Sequence, residues 1–599
     1  MVLLTAGIVA HIILASYFNF TQDDAYITFR YAANFVNGEG LVYNAGERVE
    51  GFTNFLWTVV MILARRVGFE LALFSKILGV ICGCLTIVMT FLLASKYFGK
   101  DYHWSGLSAF MLGTMLSFGY WSVAGLETAA FALMVTASLY FYRNGSYLTV
   151  AALILATLLR PEGFMVFGLL ILFDIATARR MTRFVPTALV IYAGALLPFL
   201  AFKWFYYGTL LPNPFYAKTN FGSAALADGI GYAALFFLHY AAAGLFLLPA
   251  VYVSIKKRSA PTLLWTVLII YCLYIVVVGG DVLKVHRFFV PLMPLVAIMI
   301  IYGLVKSTFK AGVIIPVVVI VLAWQIYVPR RHVADYHEAE KGLTLKMELL
   351  CQNLRAADKS NFSLAVSTIG MVGYQLPGHT VIDILGLTDT TIARHPEPPV
   401  PGLKSSWKER HYNTPYLLSR KPDYILFSTA SKPSAPGERA LFLYREFLEN
   451  YRTISFFLGG KYRDIYKRMY DKDIRCIPEI DPRFVQLYSR AFEYMNARQY
   501  VKAENAFRQA MYCLPDSIYH YSLFYMSYCR REMGDHAASY ALLNRALEID
   551  TMCHQIYSNL FIYEHEFRHD YEKAERYRNR IKELMPWFLP ILDGDVDRK

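Results

Sequence analysis

Long apolar runs alternate with short polar loops over the first 329 residues. Runs of roughly 15 to 25 apolar residues are long enough to cross the hydrocarbon of a bilayer as helices. The run at 54–66 is too short for a span and predicts an interfacial helix. The others predict a polytopic α-helical membrane domain over residues 1–329 with about eleven spans, near residues 2–18, 71–95, 104–119, 123–142, 147–159, 164–178, 184–202, 232–255, 262–279, 288–305 and 312–328.

Charged residues fall on opposite sides of the predicted spans. The net charge is +13, and basic clusters occupy alternate loops, as the positive-inside rule requires of cytoplasmic loops. This arrangement argues against nucleic acid as a partner. An odd number of spans from a cytoplasmic N-terminus places everything after Pro329 on the extracytoplasmic side. The basic clusters are Lys96 with Lys100, Arg179 with Arg180 and Arg183, Lys256 with Lys257 and Arg258, and Lys306 with Lys310.

Residues 330–480 have the pattern of a small extracytoplasmic α/β domain. Three β-rich runs, FSLAVSTIG, HTVIDILG and PDYILFST, alternate with helical stretches. The second run is followed by LTDTTIAR, a helix-start pattern. Gly370 and Gly373 after the first run form only half of a nucleotide fingerprint, so nucleotide binding is not predicted.

Residues 481–599 predict tetratricopeptide-like helical repeats. Stacked helix pairs of this kind form a concave surface that binds a peptide or a partner protein. A packing module that only covers the α/β domain is the alternative, and the sequence leaves both open. The first copy of the pattern places residues at the expected offsets: Leu487, Ala491, Tyr494, Ala503, Phe507, Ala510 and Pro515.

The loop over residues 19–54 carries the strongest chemical signal. Asp23 and Asp24 are adjacent carboxylates at the mouth of a membrane helix, where desolvation is costly unless water, a cation or a substrate hydroxyl satisfies them. Successive helical residues point about 100° apart, so we expect one aspartate to face a site and the other to orient a neighbour. A pair that only caps the following helix is the alternative.

The run DDAYITFRYAANFVNGEGLVYNAGERVEGFTNFLW resembles the first loop of the C-type glycosyltransferases, multispanning enzymes that use polyprenyl-phosphate sugars. Within them it is most similar to the terminal β-(1→2)-arabinofuranosyltransferase family. The resemblance extends over roughly residues 1–430, and the repeats depart from it. The further matching pieces are GLET at 125–128, RPEG at 160–163, LLPNPFYAK at 210–218, GGD at 279–281, HRFFVP at 286–291 and DILGLTD at 383–389.

The resemblance implies roles for residues in these motifs. It implies that a first-loop aspartate, Asp23 or Asp24, is the catalytic base. It implies that outer cations hold the donor phosphate, although each could instead be an interfacial anchor; they are Lys218, Arg287 and Arg160. The remaining polar residues are expected to bind sugar or acceptor, or to pair or cap helices: Tyr26, Arg30, Glu50, Glu127, Glu162, Asn213, Asp281, His286, Asp383 and Asp389.

We therefore expect an enzyme of a bacterial plasma membrane that transfers a sugar, a pentofuranose, from a polyprenyl-phosphate donor to a cell-envelope glycan. A lipid or solute transporter is one alternative, and a noncatalytic envelope-assembly factor that recruits partners through its repeats is another. The histidines show no ligand spacing, so no metal site is predicted, while a divalent cation at the aspartate pair stays open.

Overall fold

The computed structural model of the protein describes residues 1–218, 223–256, 261–307, 309, 311–401, 403, 405, 407, 411–429, 431–514, 519–590 and 592. Lys257, Arg258, Lys310 and Pro515 lie outside these residues. The chain forms two compact units, Met1–Phe215 with Thr219–Leu345, and Tyr216–Lys218 with Lys346–Lys599. The predicted division at residues 329 and 480 stays a prediction.

The described part of the first unit consists of helices joined by loops and contains no β-strand. Short 3₁₀ turns precede two of its helices, at Leu245–Leu247 and Arg287–Leu292. The helices are α1 (Val2–Phe18), α2 (Asp23–Val36), α3 (Phe55–Val67), α4 (Leu71–Phe98), α5 (Tyr102–Gly113), α6 (Leu116–Val123), α7 (Thr128–Arg143), α8 (Leu148–Leu159), α9 (Glu162–Ala178), α10 (Phe184–Tyr207), α11 (Asn213–Lys218), α12 (Ser223–Ala241), α13 (Leu248–Lys256), α14 (Thr262–Val277), α15 (Met293–Lys306), α16 (Ala311–Tyr327) and α17 (Arg330–Ala357).

Several of these helices are long and apolar enough to cross a membrane. By length and composition there are 5 among the described residues, or up to 7 if each of two bent helix pairs is one span. The predicted number of about eleven is therefore not confirmed. The five are Leu71–Phe98, Phe184–Tyr207, Ser223–Ala241, Arg287–Lys306 and Gly312–Ala357, and the bent pairs are α1 with α2 and α6 with α7.

Two predicted spans are wrong as single helices. The span predicted at 104–119 is divided between α5 and α6, with the break at Thr114 and Met115. The span predicted at 232–255 is divided between α12 and α13. There Ala242, Ala243 and Gly244 all have positive φ angles, of 48°, 56° and 94°, which ends the right-handed helix. Hydropathy does not detect breaks of this kind because the residues at the break are themselves apolar or small.

Helix breaks place the polar residues of the first unit at helix ends. The α1–α2 pair bends by 85° and the α6–α7 pair by 117°. Gly125 lies in the second bend at φ 83°, where an added Cβ would be only 3.1 Å from Thr21 Cγ2. Arg160 is extended between α8 and α9, as expected for a residue that precedes proline.

The second unit contains a 5-stranded sheet of order β2-β1-β3-β5-β4. Its strands are β1 (Ser363–Val366), β2 (Thr380–Asp383), β3 (Tyr424–Leu426), β4 (Tyr451–Leu458) and β5 (Lys461–Arg468). The three strands that the sequence predicts are confirmed, and β1 pairs in parallel with both of the others. The antiparallel hairpin β4–β5 was not predicted. Gly459 and Gly460, both at positive φ, form its turn, a strong hairpin signal.

Helices fill the rest of the second unit. One hydrophobic core runs from the sheet, with Ile425 and Tyr466, into the C-terminal helices, with Tyr488 and Phe507. Those helices form three successive pairs, α23 with α24, α25 with α26 and α27 with α28; their assignment as tetratricopeptide repeats stays a prediction. The helices are α18 (Ile369–Gln375), α19 (Thr390–Arg394), α20 (Thr414–Ser419), α21 (Pro436–Leu441), α22 (Arg445–Asn450), α23 (Pro482–Asn496), α24 (Tyr500–Met511), α25 (Tyr521–Glu532), α26 (His536–Ile549), α27 (His554–Tyr563) and α28 (Tyr571–Leu584).

Candidate active site

Asp23 and Asp24 form the first turn of α2. Gln22 caps this helix with extended backbone, and its N–H donates to the Ala124 carbonyl at 2.9 Å. The unpaired N–H groups and dipole of a helix N-terminus stabilise negative charge there. Asp23 is buried, at 6% exposure, whereas Asp24 is half-buried. The two carboxylates therefore occupy different environments.

The rest of the first loop folds back on α2. Arg30 donates from Nε to the Tyr43 carbonyl at 2.6 Å and from an Nη to Asn44 Oδ1 at 3.1 Å. Its guanidinium also lies 4.4 Å from the centroid of the Tyr43 ring. Arg30 is thus buried in the framework of the loop. Tyr26 is half-buried on the same helix, with its ring 5.4 Å from that of Phe29.

Glu50, at the end of this loop, is buried against Lys203 of α10, with 2.9 Å between Oε2 and Nζ. Burial raises the pKa of the Glu50 carboxyl to about 7, against the opposing attraction of Lys203. The Asn213 N–H donates to the Glu50 carbonyl at 2.9 Å, and Asn213 is itself buried. Sequence reasoning missed Lys203, although a lone lysine inside an apolar helix is a signal for a buried partner.

Arg160 lies between two carboxylates. It donates to Glu127 at 2.7 Å and to Glu162 at 2.7 and 3.2 Å. Asn54 donates to the other oxygen of Glu127 at 3.0 Å and bonds the Thr28 hydroxyl. This chain of contacts connects α2, which carries the aspartate pair, to the arginine. Asn54 was not predicted.

Arg287 lies next to this group. Asp281 accepts hydrogen bonds from its Nε at 2.6 Å and from an Nη at 3.0 Å. The Phe288 ring contacts both guanidiniums, at 5.2 Å from Arg160 and 5.6 Å from Arg287. We call these two arginines with Glu127, Glu162 and Asp281 the arginine cluster. The structure thus brings together five residues that the sequence assigned to donor, sugar or acceptor.

His286 lies in a separate group of buried histidines. Its Nε2 is 2.8 Å from His239 Nδ1, and its ring stacks on that of His332 with centroids 5.6 Å apart. His286 is fully buried. No group of three or more His, Cys, Asp or Glu side chains that could hold a metal ion occurs among the residues that the structure describes.

Three predicted site residues belong to the second unit. Lys218 is the last residue of α11 and lies two residues after Tyr216. The Tyr216 ring lies 4.4 Å from the Arg394 guanidinium. Asp383 accepts the backbone N–H groups of Leu385 and Thr388, both at 2.9 Å, and burial raises its pKa to about 7.

Asp389 accepts the N–H groups of Thr391 and Ile392 at the start of α19, at 2.9 and 3.1 Å. Its other oxygen accepts the Tyr416 hydroxyl at 3.0 Å. The helix-capping alternative therefore describes the geometry of Asp389.

Sequence reasoning also missed Glu340 of α17. Gln22 Nε2 donates to Glu340 Oε2 at 2.8 Å. Burial raises the pKa of the Glu340 carboxyl to about 7, and the charges of Asp23 and Asp24 raise it further, against the Gln22 bond. The two bonded residues are 318 positions apart, so no local motif could have joined them.

Three comparisons with known proteins bear on the chain. Residues 334–488 match a family described as a domain of unknown function, DUF8728. The chain is 25% identical over 232 residues to the terminal beta-(1->2)-arabinofuranosyltransferase of Mycobacterium tuberculosis (strain ATCC 25618 / H37Rv), covering 33% of this chain and 35% of that protein. The match spans about a third of that relative's length.

Among solved structures, the oligosaccharyltransferase of Archaeoglobus fulgidus superimposes with a TM-score of 0.44 at 10% identity, over 77% of this chain and 74% of that one. The DUF8728 match includes Glu340, Asp383 and Asp389 but not the first loop. Over part of its length, the chain is thus similar to one arabinofuranosyltransferase.

Proposed function

We propose that this protein is a membrane glycosyltransferase that transfers a pentofuranose, such as arabinofuranose, from a polyprenyl-phosphate donor to a cell-envelope glycan. The observation that carries the proposal is the position of Asp23 and Asp24. They begin α2, the second helix of the pair α1–α2 that bends by 85°, and Thr28 and Asn54 connect α2 to the arginine cluster. The partial similarity to an arabinofuranosyltransferase supports the sugar class.

The chemistry needs a base and a phosphate site. An aspartate takes the proton of the acceptor hydroxyl while its oxygen attacks the anomeric carbon of the donor sugar. The bond between that carbon and the phosphate oxygen breaks, and the polyprenyl phosphate leaves with the electron pair. Cations stabilise the charge that develops on the leaving group. We assign the base to Asp23, the more buried carboxylate, and an orienting role to Asp24.

The two arginines differ in how much of their charge is already compensated. Arg160 is paired with both Glu127 and Glu162, so its charge mainly holds those carboxylates in place. Among the residues that the structure describes, Arg287 forms an ion pair with Asp281 alone, which also fixes the plane of its guanidinium. We therefore propose Arg287 as the donor-phosphate residue of the first unit, and Glu127 and Glu162 as partners of sugar hydroxyls.

We place the reaction on the outer face of a bacterial plasma membrane, with residues after Pro329 extracytoplasmic. Charge alternation across the predicted spans supports this side. A sugar nucleotide is absent from that compartment, so a membrane lipid is the expected donor. The helix pairs over residues 481–599 are proposed to engage the polymer or a partner protein.

The direct test uses purified full-length protein and a panel of polyprenyl-phosphate sugars, including the arabinofuranosyl form, with a short glycan acceptor. Release of polyprenyl phosphate together with a lengthened acceptor is the expected result. Asp23→Asn should remove it, while Glu39→Gln, a change at an exposed carboxylate of the same loop, should not. If the protein turns over none of the donors in the panel, the proposed function is refuted.

A further inference from the structure

α17 lies against the turn between α1 and α2. The His337 ring is 5.6 Å from Phe18, 5.2 Å from Phe20 and 6.1 Å from Tyr120, as measured between ring centroids. Residues three apart share a face of a helix, so Glu340 points to the same turn as His337. The bond from Gln22 to Glu340 then brings this carboxyl to the N-terminus of α2.

The side-chain amide of Gln22 bonds to Glu340, and Gln22 directly precedes Asp23 and Asp24 in the chain. Its side chain is only 2% exposed, and its Oε1 is buried without a hydrogen-bond partner among the described residues. A buried acceptor without a partner is unfavourable. One end of the amide is thus held by Glu340, and the other end lies in the closed interior of the turn.

Three carboxyls, those of Asp23, Asp24 and Glu340, lie near this turn, together with the ammonium group of Lys76, which donates to Asn19 Oδ1 at 3.2 Å. The charges of Asp23 and Asp24 raise the pKa of Glu340 beyond the effect of burial, and repulsion between like charges is mutual. Ionisation of Glu340 therefore adds an opposing negative charge beside the aspartate pair. The titratable and charged groups around Glu340 in the described residues are Asp23 and Asp24 of α2, Tyr120 of α6, His337 and Lys341 of α17, and Lys76 of α4.

We propose that Glu340 is a positioning residue that acts through Gln22 on the Asp23–Asp24 pair, and that its charge sets the basicity of that pair. The effect on kcat rests on the proposed function. The interaction between the charges of Glu340 and the aspartates does not depend on it. Because the pKa of Glu340 is raised to about 7, the carboxyl is protonated below neutral pH and ionised above it. The aspartate base should therefore strengthen as the pH rises through 7.

The kinetic test compares pH profiles of kcat for the wild type, Glu340→Gln and Glu340→Asp. In the wild type, kcat should rise severalfold through neutral pH. Glu340→Gln keeps the hydrogen bond to Gln22 but has no charge, so this rise should be lost and kcat above pH 7 should fall severalfold. Glu340→Asp should restore part of the rise. Glu338→Gln, at an exposed position of the same helix, is the matched control and should follow the wild type.

A purely structural role predicts a different outcome. It would lower kcat of Glu340→Gln by one factor at every pH, leaving the shape of the profile unchanged. That result would overturn the proposal. A Gln22→Leu variant adds a second check, because it removes the hydrogen bond that holds the Glu340 carboxyl at the turn, so the rise of kcat through neutral pH should become smaller.

A second measurement needs no turnover. Dicyclohexylcarbodiimide reacts with protonated carboxyls in apolar surroundings, and peptide mass spectrometry reports labelling at Glu340. Labelling should fall as the pH rises through about 7, and Asp23→Asn or Asp24→Asn should move this fall to lower pH because a like charge is removed.

If the pH at which labelling of Glu340 falls is the same in the wild type and in both aspartate variants, the proposed coupling is wrong. Labelling that moves as expected in a protein that turns over no donor would leave the coupling in place and refute the proposed function.

Discussion

Two groups of carboxylates in the first unit face opposite electrostatic conditions. In the arginine cluster, Glu127, Glu162 and Asp281 each contact a guanidinium at 2.6 to 2.7 Å. At the start of α2, Asp23 and Asp24 instead lie near another carboxyl, that of Glu340, whose pKa is raised first by burial and then by the charges of the two aspartates. The first arrangement pairs opposite charges and fixes side chains in place, and the second brings like charges together.

This difference indicates which acidic residues can act as a general base. A carboxylate whose charge is matched by a buried arginine is a weak base, because taking up a proton would break the ion pair. A carboxylate beside others gains by taking up a proton. Burial alone does not distinguish the two groups, since Asp23 and Glu127 are both buried. The sign of the neighbouring charge does.

The comparison predicts that Asp23→Asn has the largest kinetic effect in the chain. Asparagine keeps the shape of the side chain but cannot accept the proton, so turnover should fall by roughly 10²-fold to 10⁴-fold. Donor KM and thermal stability should change little. Single-turnover release of polyprenyl phosphate is the measurement, with Glu39→Gln as the control. Near-normal turnover in well-folded Asp23→Asn and Asp24→Asn proteins would contradict a catalytic role and favour the helix-capping alternative for the pair.

For the arginine cluster, the comparison predicts a loss of stability. Arg160→Met leaves two buried carboxylates without their cation and should lower the free energy of unfolding by about 3–5 kcal/mol. The triple variant Arg160→Met, Glu127→Gln, Glu162→Gln removes the unpaired charges and should recover most of this loss. Thermal unfolding of the detergent-solubilised proteins, followed by tryptophan fluorescence, is the measurement. A triple variant as unstable as Arg160→Met would show that the ion pairs are not the cause.

The sequence predicted those parts of the molecule that depend on local pattern. Apolar runs located most helices of the first unit, and β-branched runs located β1, β2 and β3. The predicted spans 147–159 and 164–178 left a gap at Arg160, and Arg160 is extended there, as expected of a residue before proline. The hairpin β4–β5 was also within reach, since Gly459 and Gly460 separate two β-rich runs.

What the sequence could not provide are contacts between distant segments. Nothing near Glu340 distinguishes it from Glu338, yet one meets Gln22 and the other is exposed. Likewise, the sequence grouped Arg30 and Asp389 with the site by motif, while their geometry makes one a loop anchor and the other a helix cap. Such roles depend on which side chains the fold brings together.

Within the arginine cluster, a substitution of Arg287 tests whether the orientation of its guanidinium matters in addition to its charge. Arg287→Lys keeps the positive charge but loses the two-point contact with Asp281, so the cation is no longer held in one plane. Hydrogen bonds to charged groups contribute about 1.5–3 kcal/mol, and kcat/KM for the donor should fall by roughly tenfold or more. Arg330→Lys, at an exposed arginine that begins α17, is the control. Equal kcat/KM values in the two variants would remove Arg287 from the phosphate site.

The smallest effect is expected at Asp389, a carboxylate that motif places with the site and geometry places at a helix start. Asp389→Ala removes the acceptor for the Thr391 and Ile392 N–H groups and should cost about 1 kcal/mol. Asp389→Asn keeps an acceptor and should cost less. Faster hydrogen exchange in the peptide that covers α19, in the alanine variant only, would show this, with turnover unchanged in both. A loss of turnover shared by both variants would instead require that the negative charge itself acts in the reaction, and the distinction between fixed and basic carboxylates would then have to include the second unit.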